Sequence, residues 1–460
     1  MTARSAAQGV RARLVPPEGW DRGRTIALLL IIAMIVTGGV LRAGAIGGDT
    51  RVSSDENGNA GDANSILEHG RYRTLRWPPG TPFLFAVATR LDGHRQMKRI
   101  PHSHQPAQYM QLAIEILMLL LVALVAWVLA GPWAAVIAVA LCAFYIPLIV
   151  VTRTYLSEPF GGLMILATFA AAAWARKKGW WALVAAGVLA GLGCLTREDL
   201  FPAVIVIAIA LACWHWRASR QRALLTGLVY LAAAVIVITP WVIYASGRDG
   251  RFVPITDGGT DALFVGTYLP GKGQLYHVVK DFTGRVCRAS KSACEHYKQD
   301  GSAEMFHYIA EQHPKLSHES AIRQADIENI EKYALKKPLP FIGMLLNKLW
   351  QMWSEPWSGG NGTVHPDTSR FQHRLFVALA FIGLFGGAIV SRRWSLITIV
   401  AGLAVMTALN IIVNAQGRDN VRLVPTLFTF GAAGLVLLVQ AGLRRRRQGT
   451  EPPEPAVSPA

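Results

Sequence analysis

Charge is scarce in this chain. Only 16% of its 460 residues are Asp, Glu, Lys or Arg, against 52% hydrophobic residues, and the mean hydropathy is +0.32. Soluble domains carry about 25% charged residues, so the shortage excludes a soluble globular protein of this size and leaves one that crosses a membrane many times. Acidic residues are scarcer than basic ones, 29 against 46, which gives a net charge of +17. No nucleic-acid-binding motif accompanies that excess, so nucleic acid is not the expected partner. Cysteine is rare as well. Cys142, Cys194 and Cys213 fall in apolar runs as small packing residues. Cys287 and Cys294 stand seven apart without two further metal ligands, which argues against a zinc site and leaves a local disulfide open in an oxidising compartment. A small-residue cleavage site is missing after the first apolar run, so that run reads as a retained helix and not a removed signal peptide. Paired broken helices in two halves are missing too, which weighs against a secondary transporter.

What is present is a series of apolar runs long enough to span a bilayer core, about 20 residues each. Ten are predicted: 25–44, 109–130, 132–151, 156–175, 180–196, 200–216, 223–245, 374–391, 394–413 and 424–443. Residues 338–357 are apolar but broken by Pro340, Asn347, Lys348 and Glu355, and read as an interfacial helix with its Trp residues at headgroup level. The short loops at Arg176-Lys177-Lys178, Arg217 to Arg222, Arg392-Arg393 and Arg444 to Arg447 are all basic. They fix an orientation with both termini in the cytoplasm and the long loops 45–108 and 246–373 outside. The predicted fold is an all-α polytopic membrane protein of about ten spans, with two long extracytoplasmic loops carrying short amphipathic helices. Its parts are a cytoplasmic tail 1–24, an N-terminal membrane region 25–245, the loop region 246–373, the C-terminal spans 374–443 and a disordered tail 444–460.

The first long loop is a polar island. From Ser53 it opens with Asp55-Glu56, continues as a predicted amphipathic helix with Ala63, Ile66, Leu67 and Gly70 at three- and four-residue steps, and closes on Pro78-Pro79-Gly80, read as a rigid extended turn. In the second loop, 320–337 reads as a helix. The orientation gathers Asp55, Glu56, Asp62, Glu158, Arg197, Glu198, Arg418, Asp419 and Arg422 on one side. Ionisable groups beside spans are costly and are usually functional or paired, although Glu198 and Asp419 also fit plain loop residues. His94, His102 and His104 read as loop surface, and Asn361-Gly362-Thr363 as a chance glycosylation tripeptide.

These segments, taken in order, resemble a GT-C type membrane glycosyltransferase of the kind related to protein O-mannosyltransferases and lipid A aminoarabinose transferases. The likeness rests on Asp55-Glu56 followed by Ala63, Leu67, Gly70 and Pro78-Pro79-Gly80, then on Leu156-Ser157-Glu158-Pro159 and on Gly191-Leu192 with Leu195-Thr196-Arg197. Pro240-Trp241 with Gly250 to Ile255, and Arg418 to Pro425, complete it. It runs from about Thr25 to Leu443. Asn59 stands where many members have Tyr, Trp77 where the lipid A branch has Lys, and Asn420 or Val421 in place of a late Tyr.

The resemblance implies a polyprenyl-phosphate sugar donor, used at the outer face of a lipid bilayer, and an extracytoplasmic acceptor of unspecified kind. Asp55, Glu56 and Glu158 are the candidate catalytic acids, with Asp55 taking the acceptor proton. Arg76, Trp77, Pro78, Arg197, Arg418 and Arg422 are the candidate substrate-binding residues, because guanidinium groups pair with phosphate oxygens. Inversion at the sugar is expected. No cofactor is required on this reading, though Asp55, Glu56 and Glu158 leave room for a divalent cation. A lipid-linked-sugar flippase and a non-catalytic envelope-assembly scaffold remain the alternatives.

Overall fold

The computed structural model describes residues 22–47, 53–97, 104–175, 178–216, 219–289, 294–295, 301–357, 366–413 and 417–450. His102, Arg176-Lys177, Arg217, Asn361-Gly362-Thr363 and the tails before residue 22 and after 450 lie outside that range. Every regular element among the described residues is helical. In the first half they are α1 (Arg22–Gly44), α2 (Ser54–His69), α3 (Gly80–Leu91), α4 (Gln105–Ala130), α5 (Pro132–Ala143), α6 (Ile146–Val151), α7 (Glu158–Ala175), α8 (Trp180–Thr196), α9 (Phe201–Trp216) and α10 (Arg220–Asp249). In the second half come α11 (Gly259–Thr267), α12 (Leu275–Ala289), α13 (Gly301–Glu311), α14 (His318–Asn329), α15 (Pro338–Ser354), α16 (Pro366–Ser391), α17 (Trp394–Ile412) and α18 (Val424–Thr450).

Eight of these helices are long and apolar enough to cross a membrane, while α5 and α8 are apolar but shorter. The expected third span, 132–151, is broken. Phe144 caps α5, Tyr145 is extended, and Pro147 sits in the first turn of α6, where its missing N–H costs nothing. The expected helix 320–337 is α14 followed by a π-helical turn, Ile330–Leu335. Residues 338–357 give α15, whose Leu339, Ile342, Leu346 and Trp350 are exposed while Met344, Lys348 and Met352 are buried.

The bundle is arranged around α18. Residues 421–434 are buried without a break, and the helix packs on α16, α4, α5 and α7. A run apolar on every side suits a helix surrounded by others. Where α16 meets α18 the backbones nearly touch: a Cβ added to Gly434 would lie 2.0 Å from the Gly383 carbonyl oxygen. Small residues at such crossings replace the hydrophobic drive that lipid does not supply. The second long loop has a core of its own, built from Phe264, Tyr268, Phe282, Met305, Phe306 and Ile322. Cys287 and Cys294 close a disulfide at its edge.

Candidate active site

The start of α2 follows from two residues. Ser53 and Glu56 form a capping box: Ser53 Oγ accepts from the Glu56 amide at 3.3 Å, and Glu56 Oε2 accepts from the Ser53 amide at 2.9 Å. Glu56 does more than cap, because its Oε1 accepts from the Tyr155 amide at 3.1 Å, and Asn59 donates to the Tyr155 carbonyl at 2.9 Å. From α4, Gln111 donates to the Leu156 carbonyl at 2.7 Å. These bonds lock the segment before Glu158 against the first turn of α2, and so set Asp55 opposite Glu158. Gly70 ends the helix at φ 63°, a left-handed turn that suits a residue without a Cβ.

The two acids meet at Arg418. It pairs with Asp55 through Nη2, and its Nε lies 3.1 Å from Glu158 Oε1. Asp55 and Arg418 are about a quarter exposed, at 24% and 22%, whereas Glu158 is buried. Neither Glu158 oxygen accepts a well-formed hydrogen bond among the described residues, so its tie to Arg418 is an ion pair. Arg418 feels burial, which lowers its pKa, but the charges of Asp55, Glu158 and Asp419 outweigh that and raise it. Its short loop, Gly417–Asn420, is fastened to the end of α15: Asn420 donates to the carbonyls of Met352 at 2.6 Å and Glu355 at 3.2 Å.

Arg197 comes from the end of α8. Its Nη1 donates to Ser157 Oγ at 2.9 Å and lies 3.6 Å from Glu158 Oε1, and its Nε donates to Asp199 Oδ1 at 3.3 Å. Behind it, buried Arg422 is surrounded by Asp199, Asp419 at 2.8 Å and Asn410 at 2.7 Å. Asp55, Arg418, Glu158, Arg197, Asp199, Arg422 and Asp419 therefore form one chain of alternating charges, drawn from four distant stretches of sequence.

The other expected residues lie around this chain. Arg76 pairs with Asp261 at 2.9 Å and sits over the Phe306 ring, while Leu75 accepts from the Asp257 amide. It thus stitches the first long loop to the second. Burial raises the pKa of Asp261, and Arg76 partly counters it. Trp77 packs on α2 one turn past Asp55, so closely that a Cβ on Gly58 would lie 2.0 Å from its Nε1. Pro78 is half-buried, and Pro79, in a helical and not extended conformation, caps α3. Asp62 is buried and accepts from the amides of Arg73 at 3.0 Å and Thr74 at 2.9 Å, folding the 71–79 segment back over α2; burial raises its pKa against those bonds.

Two expectations of plain loop surface fail. His104 is buried, with Nε2 3.0 Å from Thr89 Oγ1, and Asp419 is buried against Arg422. Sequence reasoning gave no role to Ser157, Asp199 or Asn410. Asp199 stands two residues from Arg197, which was the one local signal available. Among the described residues no three His, Cys, Asp or Glu side chains converge as metal ligands. The guanidinium of Arg418 lies between Asp55 and Glu158.

The sequence matches no family model and no curated protein. Solved structures do match. The oligosaccharyltransferase AglB from Archaeoglobus fulgidus, solved with an inhibitory peptide and a dolichol-phosphate, superposes with a TM-score of 0.53 at 14% identity, over 94% of this chain and 52% of that one. The chain has the GT-C fold. A second structure of the Archaeoglobus enzyme, tethered to an acceptor peptide, gives a TM-score of 0.52 at 14% identity over 92% and 51%. The chain thus spans about half the length of those GT-C proteins. ArnT from Cupriavidus metallidurans bound to undecaprenyl phosphate aligns over 93% of this chain and 81% of its own at 14% identity, with a TM-score of 0.39, too low to argue from.

Proposed function

We propose that the protein is a membrane glycosyltransferase that moves a sugar from a polyprenyl-phosphate donor to an acceptor hydroxyl on the extracytoplasmic side. The observation that carries this reading is the meeting of Asp55 and Glu158 across Arg418, at the helix end that also gathers Arg197. A partly exposed acid beside two partly exposed guanidinium groups is what sugar transfer from a lipid phosphate needs. The AglB structure holding a dolichol-phosphate supports the same choice.

In the proposed reaction the acceptor oxygen attacks the anomeric carbon. The bond from that carbon to the phosphate oxygen breaks, and polyprenyl phosphate leaves with the electron pair. Asp55 takes the acceptor proton. Arg418 and Arg197 meet the charge that grows on the phosphate. Glu158 holds both guanidinium groups in place, and Glu56 and Arg422 act as braces, since the carboxylate oxygens of the one and the terminal nitrogens of the other are engaged inside the protein. Trp77 and Pro78 line the approach to Asp55, and Arg76 fastens the second loop. One displacement inverts the anomeric centre.

Reconstitution tests this reading. Purified protein in vesicles, given a mixture of polyprenyl-phosphate sugars and cell-envelope acceptors, is expected to release polyprenyl phosphate and a glycosylated product of inverted configuration. A product of retained configuration contradicts the single displacement. Movement of the lipid between leaflets without any product contradicts the enzyme and favours a flippase.

A further inference from the structure

Asp199 joins buried Arg422 to partly exposed Arg197. Its two oxygens face different ways: Oδ1 accepts from Arg197 Nε, and Oδ2 pairs with Arg422. Arg422 is buried and its two terminal nitrogens are held by Asp419 and Asn410, so it is a fixed point. Arg197, by contrast, keeps a fifth of its side-chain surface exposed. An arginine side chain has four rotatable bonds and loses substantial entropy when it is held still. Besides the charge of Glu158, three features do the holding here. Asp199 takes the Nε edge, Ser157 takes Nη1, and the side chain lies across Gly161 so closely that a Cβ there would come within 2.8 Å of Arg197 Cδ.

We propose that Asp199 is a positioning residue that aims the exposed part of Arg197 at the phosphate of the lipid substrate, an assignment that rests on the function proposed above. The fork of a guanidinium binds a phosphate well only when its plane is set before the ligand arrives. Asp199 sets that plane by transmitting the fixed position of Arg422 through one carboxylate. Gly161 is then glycine because any larger residue pushes Arg197 out of the plane that Asp199 imposes.

The test compares two probes that differ only in the phosphate, undecaprenyl phosphate and undecaprenol, bound to the full-length protein in lipid nanodiscs. Wild-type protein is expected to prefer the phosphate form. Asp199→Asn is expected to weaken that form about tenfold, the effect of losing one charge-assisted contact, and to leave undecaprenol binding unchanged. Asp199→Glu restores most of the preference. If Asp199→Asn lowers the melting temperature severely, Ser157→Ala takes its place, with an expected loss of about threefold for the phosphate form alone. Unchanged phosphate binding in the variants overturns the proposal, and so does an equal loss of both probes, which marks a merely structural role. A wild-type protein with no preference for the phosphate form overturns the lipid-phosphate reading itself, and the role of Asp199 falls with it.

Discussion

Lys348 shows how much one side chain can escape a linear reading. In the sequence it is one of several polar interruptions in an interfacial helix. In the structure it is fully buried, and its Nζ donates to the carbonyls of Gly266 at 3.3 Å and Val413 at 3.2 Å, so that it ties α15 to the C-terminal ends of α11 and α17. Burial lowers its pKa to about 8, with Asp419 opposing. Below about pH 8 both folded and unfolded states carry the proton, and the cost of burying the charge is felt in full. As pH rises from about 8 toward the ordinary 10.5, the folded state gives up the proton first, so this group's contribution to stability improves. Wild-type protein should therefore gain melting temperature relative to Lys348→Met between about pH 7 and about pH 10; a constant difference contradicts the assignment. Asp55 was legible from the Asp-Glu pair and the motif that follows it, and Glu158 and Arg418 were legible as ionisable residues beside or between apolar runs. His104 and Asp199 were not, because their partners, Thr89 and Arg422, are brought to them only by the fold.

The elements divide in the same way. Ser53 and Glu56 are a local pattern, and the helix they start is where hydrophobic spacing put it, down to Gly70. The break between α5 and α6 carries its sign in Pro147. The contacts that bind helices to one another carry none. Arg42 on α1 and Glu115 on α4 lie in runs that read as plain membrane spans, yet they form a wholly buried pair at 3.2 Å, with Arg42 also donating to the carbonyls of Gly38, Cys142 and Ala143. Breaking such a pair leaves a charge with no counterpart in an apolar surround. Arg42→Leu alone should destabilise the protein by about 3–5 kcal/mol, and adding Glu115→Leu should recover part of the loss. A double variant worse than the sum of the two singles contradicts the pair. Denaturation of the single and double variants in one detergent reads this directly.

At the scale of the whole molecule, the order of apolar runs and polar islands carried the architecture: helical bundle, long loops, charged residues gathered at one end. What it left out is how the loops close on the bundle. Arg76 to Asp261 and Arg418 to Asp55 join residues far apart in sequence, and together they place the second loop and the late short loop over the start of α2. The account turns on one claim, that this junction transfers sugar from a lipid phosphate through Asp55. It is tested most directly by quantifying lipid-linked sugars by mass spectrometry in cells lacking the protein, complemented with wild type or with Asp55→Asn at equal membrane abundance. The account predicts that one polyprenyl-phosphate sugar accumulates in the deletion, is cleared by wild type, and persists with Asp55→Asn. Clearance by Asp55→Asn as complete as by wild type contradicts it.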